Sequence, residues 1–216
     1  MRKFLEVLRR TENPLKRRLL LVGILTKELE KKGIRPILVG GNALELYTLG
    51  GYSTADVDLV CSDRKLAGEI LEKLGFKKFG RFWINEDLEM IVEFPDTKLA
   101  GSTERVEEFE VDGLRIYVIG KEDLIVDRLN ACVFWKSKDD CRWVKELILL
   151  YYDKIDWNYL KMRCEEEGTI DELVRIRREV EEIMNEVGRF DKGEEEDDMD
   201  QMLSKERTKK QTDRSR

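Results

Sequence analysis

Two short stretches decide the fold: residues 39–44, Val-Gly-Gly-Asn-Ala-Leu, and residues 56–60, Asp-Val-Asp-Leu-Val. The first stretch continues an apolar run from residue 36 and leads into residues 43–47, which predicts a buried strand, two glycines and a helix. Glycines at the end of a strand leave backbone N–H groups uncovered, and such groups suit an oligophosphate. Asp56 and Asp58 share one face of their strand, where they repel each other unless a divalent cation binds.

The hydrophobic pattern around these stretches predicts a mixed α/β core followed by helices. After a short amphipathic opening at Phe4, Leu5 and Leu8, the pattern predicts helices at 15–32, 43–47 and 64–74, and strands at 36–39, 57–61, 77–84, 88–94, 106–111 and 114–119. Beyond them it predicts helices at 121–134, 138–152, 156–167 and 170–187. We therefore expect a core with N-terminal helices over residues 1–120, a helical segment over 121–187 and a disordered charged tail over 188–216.

The composition excludes several classes of chemistry. The 216 residues contain no His, which excludes Ser-His-Asp hydrolases, His-ligated zinc sites and His phosphorelay. Acid–base or metal chemistry then depends on the 46 Asp and Glu residues, or on Lys, Tyr and Cys. With 40 Lys and Arg the net charge is −6, which argues against a protein that coats nucleic acid but leaves room for a local basic surface.

The apolar runs and the cysteines indicate where in the cell the protein is located. No apolar run approaches the roughly 20 residues that a membrane span needs, so we expect no membrane contact. The four cysteines form no Cys-x-x-Cys pair that would indicate a zinc ribbon or a redox motif. We therefore expect a cytoplasmic chain with reduced, half-buried cysteines.

The glycine pair and the spaced acids resemble a known signature. Gly40-Gly41, followed by Asp56-Val57-Asp58 between apolar residues, is similar to the G-[GS]…D-h-[DE]-h pattern of the DNA polymerase β-type nucleotidyltransferase superfamily. Within it, GGNAL at 40–44 and YSTADVD at 52–58 most resemble the minimal, AbiEii-like branch. Two positions depart from that branch: Gly51 stands where Arg is usual, and Asn42 stands for Thr or Ser.

The resemblance implies an α/β (α+β) nucleotidyltransferase fold, with a short mixed sheet flanked by helices and a helical C-terminal segment. It implies Mg²⁺-dependent transfer of an NMP group from an NTP such as ATP to a hydroxyl of an RNA, a protein or a small molecule. Two Mg²⁺ ions would be held by Asp56, Asp58 and a third acid from the next strand, for which Glu93 is preferred and Glu89 stays open. The predicted nucleotide-binding residues are Gly40, Gly41, Asn42, Ser53 and Lys121, with Arg128 or Lys138 as further cations against the triphosphate.

Other interpretations of the same residues stay open. The glycines can form an ordinary tight turn, and the two aspartates can belong to a solvated strand edge. Gly51 in place of Arg, together with the charged tail, is also compatible with a toxin–antitoxin or regulatory protein that keeps the fold for partner binding. The basic first 33 residues, with ten Lys and Arg against four Glu, are compatible with an enzyme that modifies tRNA.

Overall fold

The computed structural model describes residues 2–187, and the predicted disordered tail at 188–216 lies outside them. The helices are α1 (Arg2–Arg10), α2 (Pro14–Glu30), α3 (Gly40–Tyr47), α4 (Arg64–Lys73), α5 (Lys121–Phe134), α6 (Lys138–Tyr151), α7 (Trp157–Glu167) and α8 (170–187). The strands are β1 (Ile37–Val39), β2 (Asp56–Val60), β3 (Lys77–Phe79), β4 (Phe82–Asn85), β5 (Met90–Glu93), β6 (Glu107–Val111) and β7 (Leu114–Val118).

All seven strands form one sheet in the order β3-β4-β5-β2-β1-β7-β6. The pairs β1–β7 and β2–β5 are parallel, and the remaining neighbours are antiparallel. The strands β5, β2 and β1, which carry the motif residues or lead into them, therefore lie side by side. The predicted mixed α/β architecture with a mixed sheet is confirmed.

Helix α2 is the central helix of the core. Residues 18–26 are all buried, so this helix is covered on every side instead of being amphipathic. Gly23 permits its close approach to β7, because a Cβ at this position would lie 2.7 Å from Leu114 Cβ. Asn13 caps the helix by accepting a 2.8 Å hydrogen bond from the Lys16 N–H, and Pro14 occupies the first helical position.

Two predicted strands differ from the observed ones. The pattern predicts one strand over residues 77–84, but the chain turns at Gly80 and Arg81 to make the β3–β4 hairpin. Gly80 has a φ of +60°, which a glycine adopts without steric cost. The strand predicted at 88–94 begins only at Met90, because residues 86–89 form a turn.

The described chain divides into two compact units. The first extends to Ile170 and includes the sheet and helices α1–α7, so the predicted boundary at 120/121 lies inside it. The second begins at Asp171, and its described part is helix α8, which carries ion pairs such as Arg178–Glu182. Among the described residues, no helix combines the length and the apolar character that crossing a bilayer requires.

The expectation of reduced cysteines is wrong for two of the four. Cys132 in the last turn of α5 and Cys141 in the first turn of α6 form a disulfide. The loop between these helices holds the two residues close, with their Cα atoms 4.8 Å apart, although they are nine positions apart in the sequence. Cys61 and Cys164 are free and buried, as small apolar side chains often are.

Candidate active site

The candidate site lies where three adjacent strands meet. On β2, Asp58 lies opposite Val39 of β1 and opposite Glu93 of β5 in the strand register. Val39 is the last residue before the two glycines, so Gly40, Asp58 and Glu93 come together at one position across the sheet. These three residues line one cavity of about 320 Å³, which we call the central cavity.

Gly40 is required because the Asp58 carboxylate lies against it. Its φ is +61°, in the left-handed region that favours glycine, and a Cβ here would lie 2.5 Å from Asp58 Oδ2. The Gly41 N–H donates a hydrogen bond to the Asp58 carboxylate. One of the N–H groups that the sequence assigned to phosphate, that of Gly41, therefore contacts a carboxylate of the protein itself.

The Asp58 carboxyl lies in an environment that disfavours its charge. Burial and, after it, the negative charges of Glu93 and Asp56 together raise its pKa to about 6. The Gly41 N–H and the Arg128 guanidinium act in the opposite direction. A bound cation would relieve both the repulsion and the desolvation, so this group of acids is suited to a metal ion.

The structure separates the two candidates for the third acid. Glu93 is the last residue of β5, beside Asp58, and Arg81 Nε of the β3–β4 hairpin lies 3.3 Å from its Oε1. Glu89 is exposed in the turn before β5, with a φ of +52°, and therefore lies at the opposite end of that strand. Glu93 is the acid that the fold brings to Asp58.

The carboxylates of Asp56, Asp58 and Glu93 do not form a closed cage. Among residues 2–187, these three carboxylates are not gathered closely enough to surround an ion together. Asp58 is turned towards the Gly41 N–H, and Glu93 is turned towards Arg81. Oxygen donors of this kind fit Mg²⁺, which commonly takes one or two carboxylates and completes its shell with water and phosphate.

The sequence predicts that Asn42 contacts the nucleotide, but the structure places its side chain elsewhere. Its side chain is fully buried, its Oδ1 accepts a 3.0 Å hydrogen bond from Arg18 Nε, and its Nδ2 donates to the Asp56 carbonyl at 2.5 Å. Arg18 also forms a buried ion pair with Glu45 at 2.6 Å. In this position Asn42 joins α2 to the start of β2 and offers no surface to a ligand.

The predicted cations occupy different places. Lys121 pairs with Glu107 and does not line the central cavity, and Lys138 is exposed at the start of α6. Arg128 lines the cavity. Burial acts to lower the pKa of its guanidinium, but the charges of Asp127 and Asp140 outweigh burial, so the pKa is raised. Arg128 is therefore the predicted cation that the fold brings to Asp58.

Ser53 lies in a second concave surface next to the first. This lateral groove, of about 460 Å³, is formed by the loop before β2 and the start of α6, and Arg128 is a wall of both spaces. Its lining includes Tyr52 and Trp143, whose rings meet edge to face at 5.2 Å. Ser53 is thus separated from Gly40 but linked to the central cavity through Arg128.

Two cations near the site were missed from the sequence. Lys98 lines the central cavity from the loop after β5, and Arg81 reaches Glu93 from the β3–β4 hairpin. The available signal for the hairpin was Gly80, because a glycine inside a strand pattern indicates an interruption of the strand. Lys98 has no comparable local signal, because only the path of the loop brings it to the cavity.

Two solved structures align with the chain, and the first of them agrees with its fold. A crystal structure of an antigenic nucleotidyltransferase-like protein from Paracoccidioides brasiliensis aligns with a TM-score of 0.54 and 15% identity, covering 80% of this chain and 92% of that one. The solution structure of the antibiotic-resistance factor ANT(2'')-Ia aligns with a TM-score of 0.38 and 13% identity, covering 79% of this chain and 94% of that one. No curated protein sequence matches the chain significantly.

A family model provides the assignment. The model described as nucleotidyltransferase of unknown function (DUF6036) matches residues 18–192, which include the glycine turn, all three acids and helices α3–α8. The superfamily expected from the sequence is thereby confirmed, whereas the AbiEii-like branch is not singled out. The chain belongs to this DUF6036 family of nucleotidyltransferases.

Proposed function

We propose that the protein is a Mg²⁺-dependent nucleotidyltransferase that moves an NMP group from an NTP to a hydroxyl acceptor and releases pyrophosphate. The observation that carries this proposal is the meeting of the glycine turn, Asp58 and Glu93 in the central cavity. Gly40 leaves room for the Asp58 carboxylate, whose pKa is raised by burial and by the neighbouring charges of Glu93 and Asp56. Family membership supports the same class of reaction.

Asp56, Asp58 and Glu93 would hold the metal ions. When bound, Mg²⁺ lowers the pKa of the attacking hydroxyl and neutralises charge on the phosphate oxygens. To bind it, Asp58 would turn from the Gly41 N–H and Glu93 from Arg81. The Gly41 N–H would then be available to a phosphate oxygen. It would thus bind Asp58 in the metal-free protein and phosphate when the substrate is present.

The remaining groups would position the substrates. In the transfer, the acceptor oxygen forms a bond to the α-phosphorus, and the bond from that phosphorus to the oxygen shared with the β-phosphate breaks. Pyrophosphate leaves with the bonding electron pair, and the hydroxyl proton passes to solvent. Arg128 and Lys98 line the cavity where they can offset triphosphate charge, and Asn42 holds the backbone of Asp56 in place.

The activity can be tested with NTPs radiolabelled at the α- or the γ-phosphate, incubated with Mg²⁺, total RNA and cell extract. We expect label to be transferred from the α-position, no transfer from the γ-position, and none when EDTA removes the metal. Asp58→Asn and Glu93→Gln should lower transfer at least about a hundredfold, because each removes a charged ligand from the site. Glu89→Gln is the matched control, since it removes the exposed acid of the neighbouring turn and should leave transfer unchanged.

Isothermal titration separates this proposal from the alternative, a toxin–antitoxin or regulatory protein that keeps the fold for partner binding. A nucleotidyltransferase binds NTP in a Mg²⁺-dependent manner, and the Asp56→Asn/Asp58→Asn double variant should abolish that dependence. Absence of Mg²⁺-dependent NTP binding by the unmodified protein, together with no transfer to any fraction, would contradict the proposal and favour an interaction protein that keeps the fold.

A further inference from the structure

One wall of the central cavity is a loop without helix or strand structure. Residues 94–102, which we call the cavity loop, connect β5 to a short 3₁₀ helix at Thr103–Arg105. The loop residues that line the cavity are Pro95, Asp96, Lys98, Leu99 and Ala100. The position of this wall therefore depends on how the loop is held.

Lys98 is the cation that this loop brings to the cavity. The other cation of the cavity lining, Arg128, is already paired with Asp127 and Asp140. Lys98 is exposed, and within residues 2–187 no carboxylate lies at ion-pair distance from its amine. Its charge is therefore available to an anion in the cavity, such as a triphosphate.

The first half of the cavity loop is held by Asp96. Its carbonyl accepts a 3.2 Å hydrogen bond from the N–H of Cys61, the residue that follows β2. Its carboxylate accepts hydrogen bonds from the N–H groups of Thr97, at 2.5 Å, and Lys98, at 3.3 Å. These bonds join the backbone up to Lys98 to the strand that carries Asp58.

The end of the loop is held by Asp123, in the first turn of α5. Its carboxylate is fully buried: Oδ2 accepts a 2.9 Å hydrogen bond from the Ser102 N–H, and Oδ1 accepts one of 2.8 Å from the hydroxyl of Tyr159 on α7. The loop backbone packs directly on this side chain, because a Cβ at Gly101 would lie 2.5 Å from Asp123 Cγ. Asp123 thus fixes the last two residues of the loop against α5.

A buried carboxylate is a costly way to fill this space. Removing a charge from water is unfavourable unless a cation and hydrogen bonds compensate for it. The cation that the described residues place at ion-pair distance is Arg163, whose Nε lies 4.0 Å from Asp123 Oδ1, beyond hydrogen-bond range. What the carboxylate provides is two acceptor oxygens, one of which holds the loop. Arg128, which lines the cavity, lies on the same helix little more than one turn further on.

We propose that Asp123 is a positioning residue of the NTP site, which fixes the cavity loop through the Ser102 N–H so that the Lys98 amine binds the triphosphate. This inference rests on the proposed function, because it concerns the binding of the same substrate. Asp123 does not line the central cavity, so its effect on the substrate passes through the loop.

Isothermal titration of each of the four NTPs with Mg²⁺ tests the proposal, with the variants compared on the NTP that the unmodified protein binds most tightly. Lys98→Gln should weaken binding about tenfold, because it removes a charge-assisted hydrogen bond. Asp123→Ala should weaken it by a similar factor, because the loop loses its anchor. Asp123→Asn should keep most of the affinity, since its amide oxygen can accept from Ser102 and its NH₂ can donate to Tyr159.

A double variant distinguishes positioning from a general loss of structure. If Asp123 acts through Lys98, then Lys98→Gln/Asp123→Ala should bind NTP about as tightly as Lys98→Gln alone. Independent effects would multiply, to a loss of about a hundredfold, and this result would overturn the proposal.

Hydrogen exchange gives a measurement that does not depend on NTP. Asp123→Ala should speed exchange in residues 94–102 of the folded protein, including the Ser102 N–H, whereas Lys98→Gln should leave it unchanged. If Asp123→Ala does not fold, Gly101→Ala replaces it, because its added Cβ displaces the loop while the carboxylate stays. Gly101→Ala should likewise speed exchange and weaken NTP binding. Unchanged exchange in the loop of the folded variant would contradict its anchoring by Asp123.

Asn85→Ala is the matched control. Asn85 is also buried and also accepts a hydrogen bond from a loop N–H, that of Leu88 at 3.1 Å, but it does not line the central cavity. This variant should lower the free energy of unfolding without changing NTP affinity. Equal losses of NTP affinity in Asn85→Ala and Asp123→Ala would overturn the proposal, since the effect would then follow from stability.

Failure of this inference can be distinguished from failure of the proposed function. NTP binding that neither Lys98→Gln nor Asp123→Ala weakens would reject the role of the cavity loop alone. Absence of Mg²⁺-dependent NTP binding by the unmodified protein would reject the proposed function, and the role of Lys98 with it.

Discussion

The residue on which most of the site's electrostatics depends is Asp58. Its pKa is raised from 3.8 to about 6 by burial and by the charges of Glu93 and Asp56. Because the folded-state pKa lies above the unfolded one, Asp58 favours folding when it is protonated at low pH. This contribution is lost as the pH rises from about 4 through about 6.

Asp58→Asn should therefore stabilise the metal-free protein at about pH 8 and have little effect at about pH 4. The full shift of the Asp58 pKa corresponds to about 3 kcal/mol. Because Asp58 is partly exposed, the expected gain in the free energy of unfolding is on the order of 1–2 kcal/mol. Urea unfolding at the two pH values measures it, with Glu89→Gln as the exposed control. A gain of equal size at both values would contradict this account of the Asp58 environment.

Gly40 offers a steric test of the same site. Gly40→Ala combines a left-handed backbone, which costs roughly 1–2 kcal/mol, with a contact to Asp58 Oδ2 that adds about 1–3 kcal/mol. Gly33→Ala is the matched control, because Gly33 has a φ of +72° with no atom within 4 Å of the added Cβ. Urea unfolding should show the larger loss of free energy for Gly40→Ala. Equal losses would mean that Asp58 moves away without cost.

Between elements, the buried Arg18–Glu45 ion pair joins α2 to α3 beneath the glycine turn. Arg18→Met would leave the Glu45 charge buried without its cation, and the free energy of unfolding should fall by about 3 kcal/mol or more. The double variant Arg18→Met/Glu45→Leu should be less destabilised than the single one, because no buried charge is left. Lys161→Met breaks an exposed pair with Glu165 and should cost less than about 1 kcal/mol.

The Cys132–Cys141 disulfide makes a second element-level prediction. Thiol titration in denaturant should find two free cysteines, Cys61 and Cys164, and four after reduction. Reduction should lower the free energy of unfolding by about 2–3 kcal/mol, since it releases a short closed loop in the unfolded chain. Four thiols without reductant would contradict the disulfide, and Cys132→Ser/Cys141→Ser gives the same loss of stability without a chemical reductant.

At the scale of the whole molecule, ligand binding should raise the free energy of unfolding of the protein. If the central cavity binds Mg²⁺ and ATP only in the folded state, a concentration 100 times the Kd should stabilise the protein by about 2.7 kcal/mol. For a chain of this length the melting temperature should rise by roughly 5–10 °C. ATP with EDTA should give a smaller rise, and Asp58→Asn should remove the effect of Mg²⁺. An equal rise with and without Mg²⁺ would contradict a metal-dependent site.

Patterns that depend on neighbouring residues were predictable. The strand–glycine–helix unit around residues 37–47 and the helices predicted at 64–74 and 121–134 agree with the structure. In each case a short peptide already carries the constraint, through the conformational freedom of glycine or the period of apolar residues. Asp56 and Asp58 were found in the same way, because alternation along one strand places them on one face.

Contacts between distant parts of the chain were decided only by the tertiary structure. It selected Glu93 over Glu89 through the register of β5 with β2, brought Arg128 to Asp58, and buried Asn42 against Arg18. It also paired Cys132 with Cys141 and joined Arg81 to Glu93. The sequence by itself determined the motif and the types of side chain that it offers, since these are local. The partners of each motif residue follow from strand register and helix packing, which only the folded chain defines.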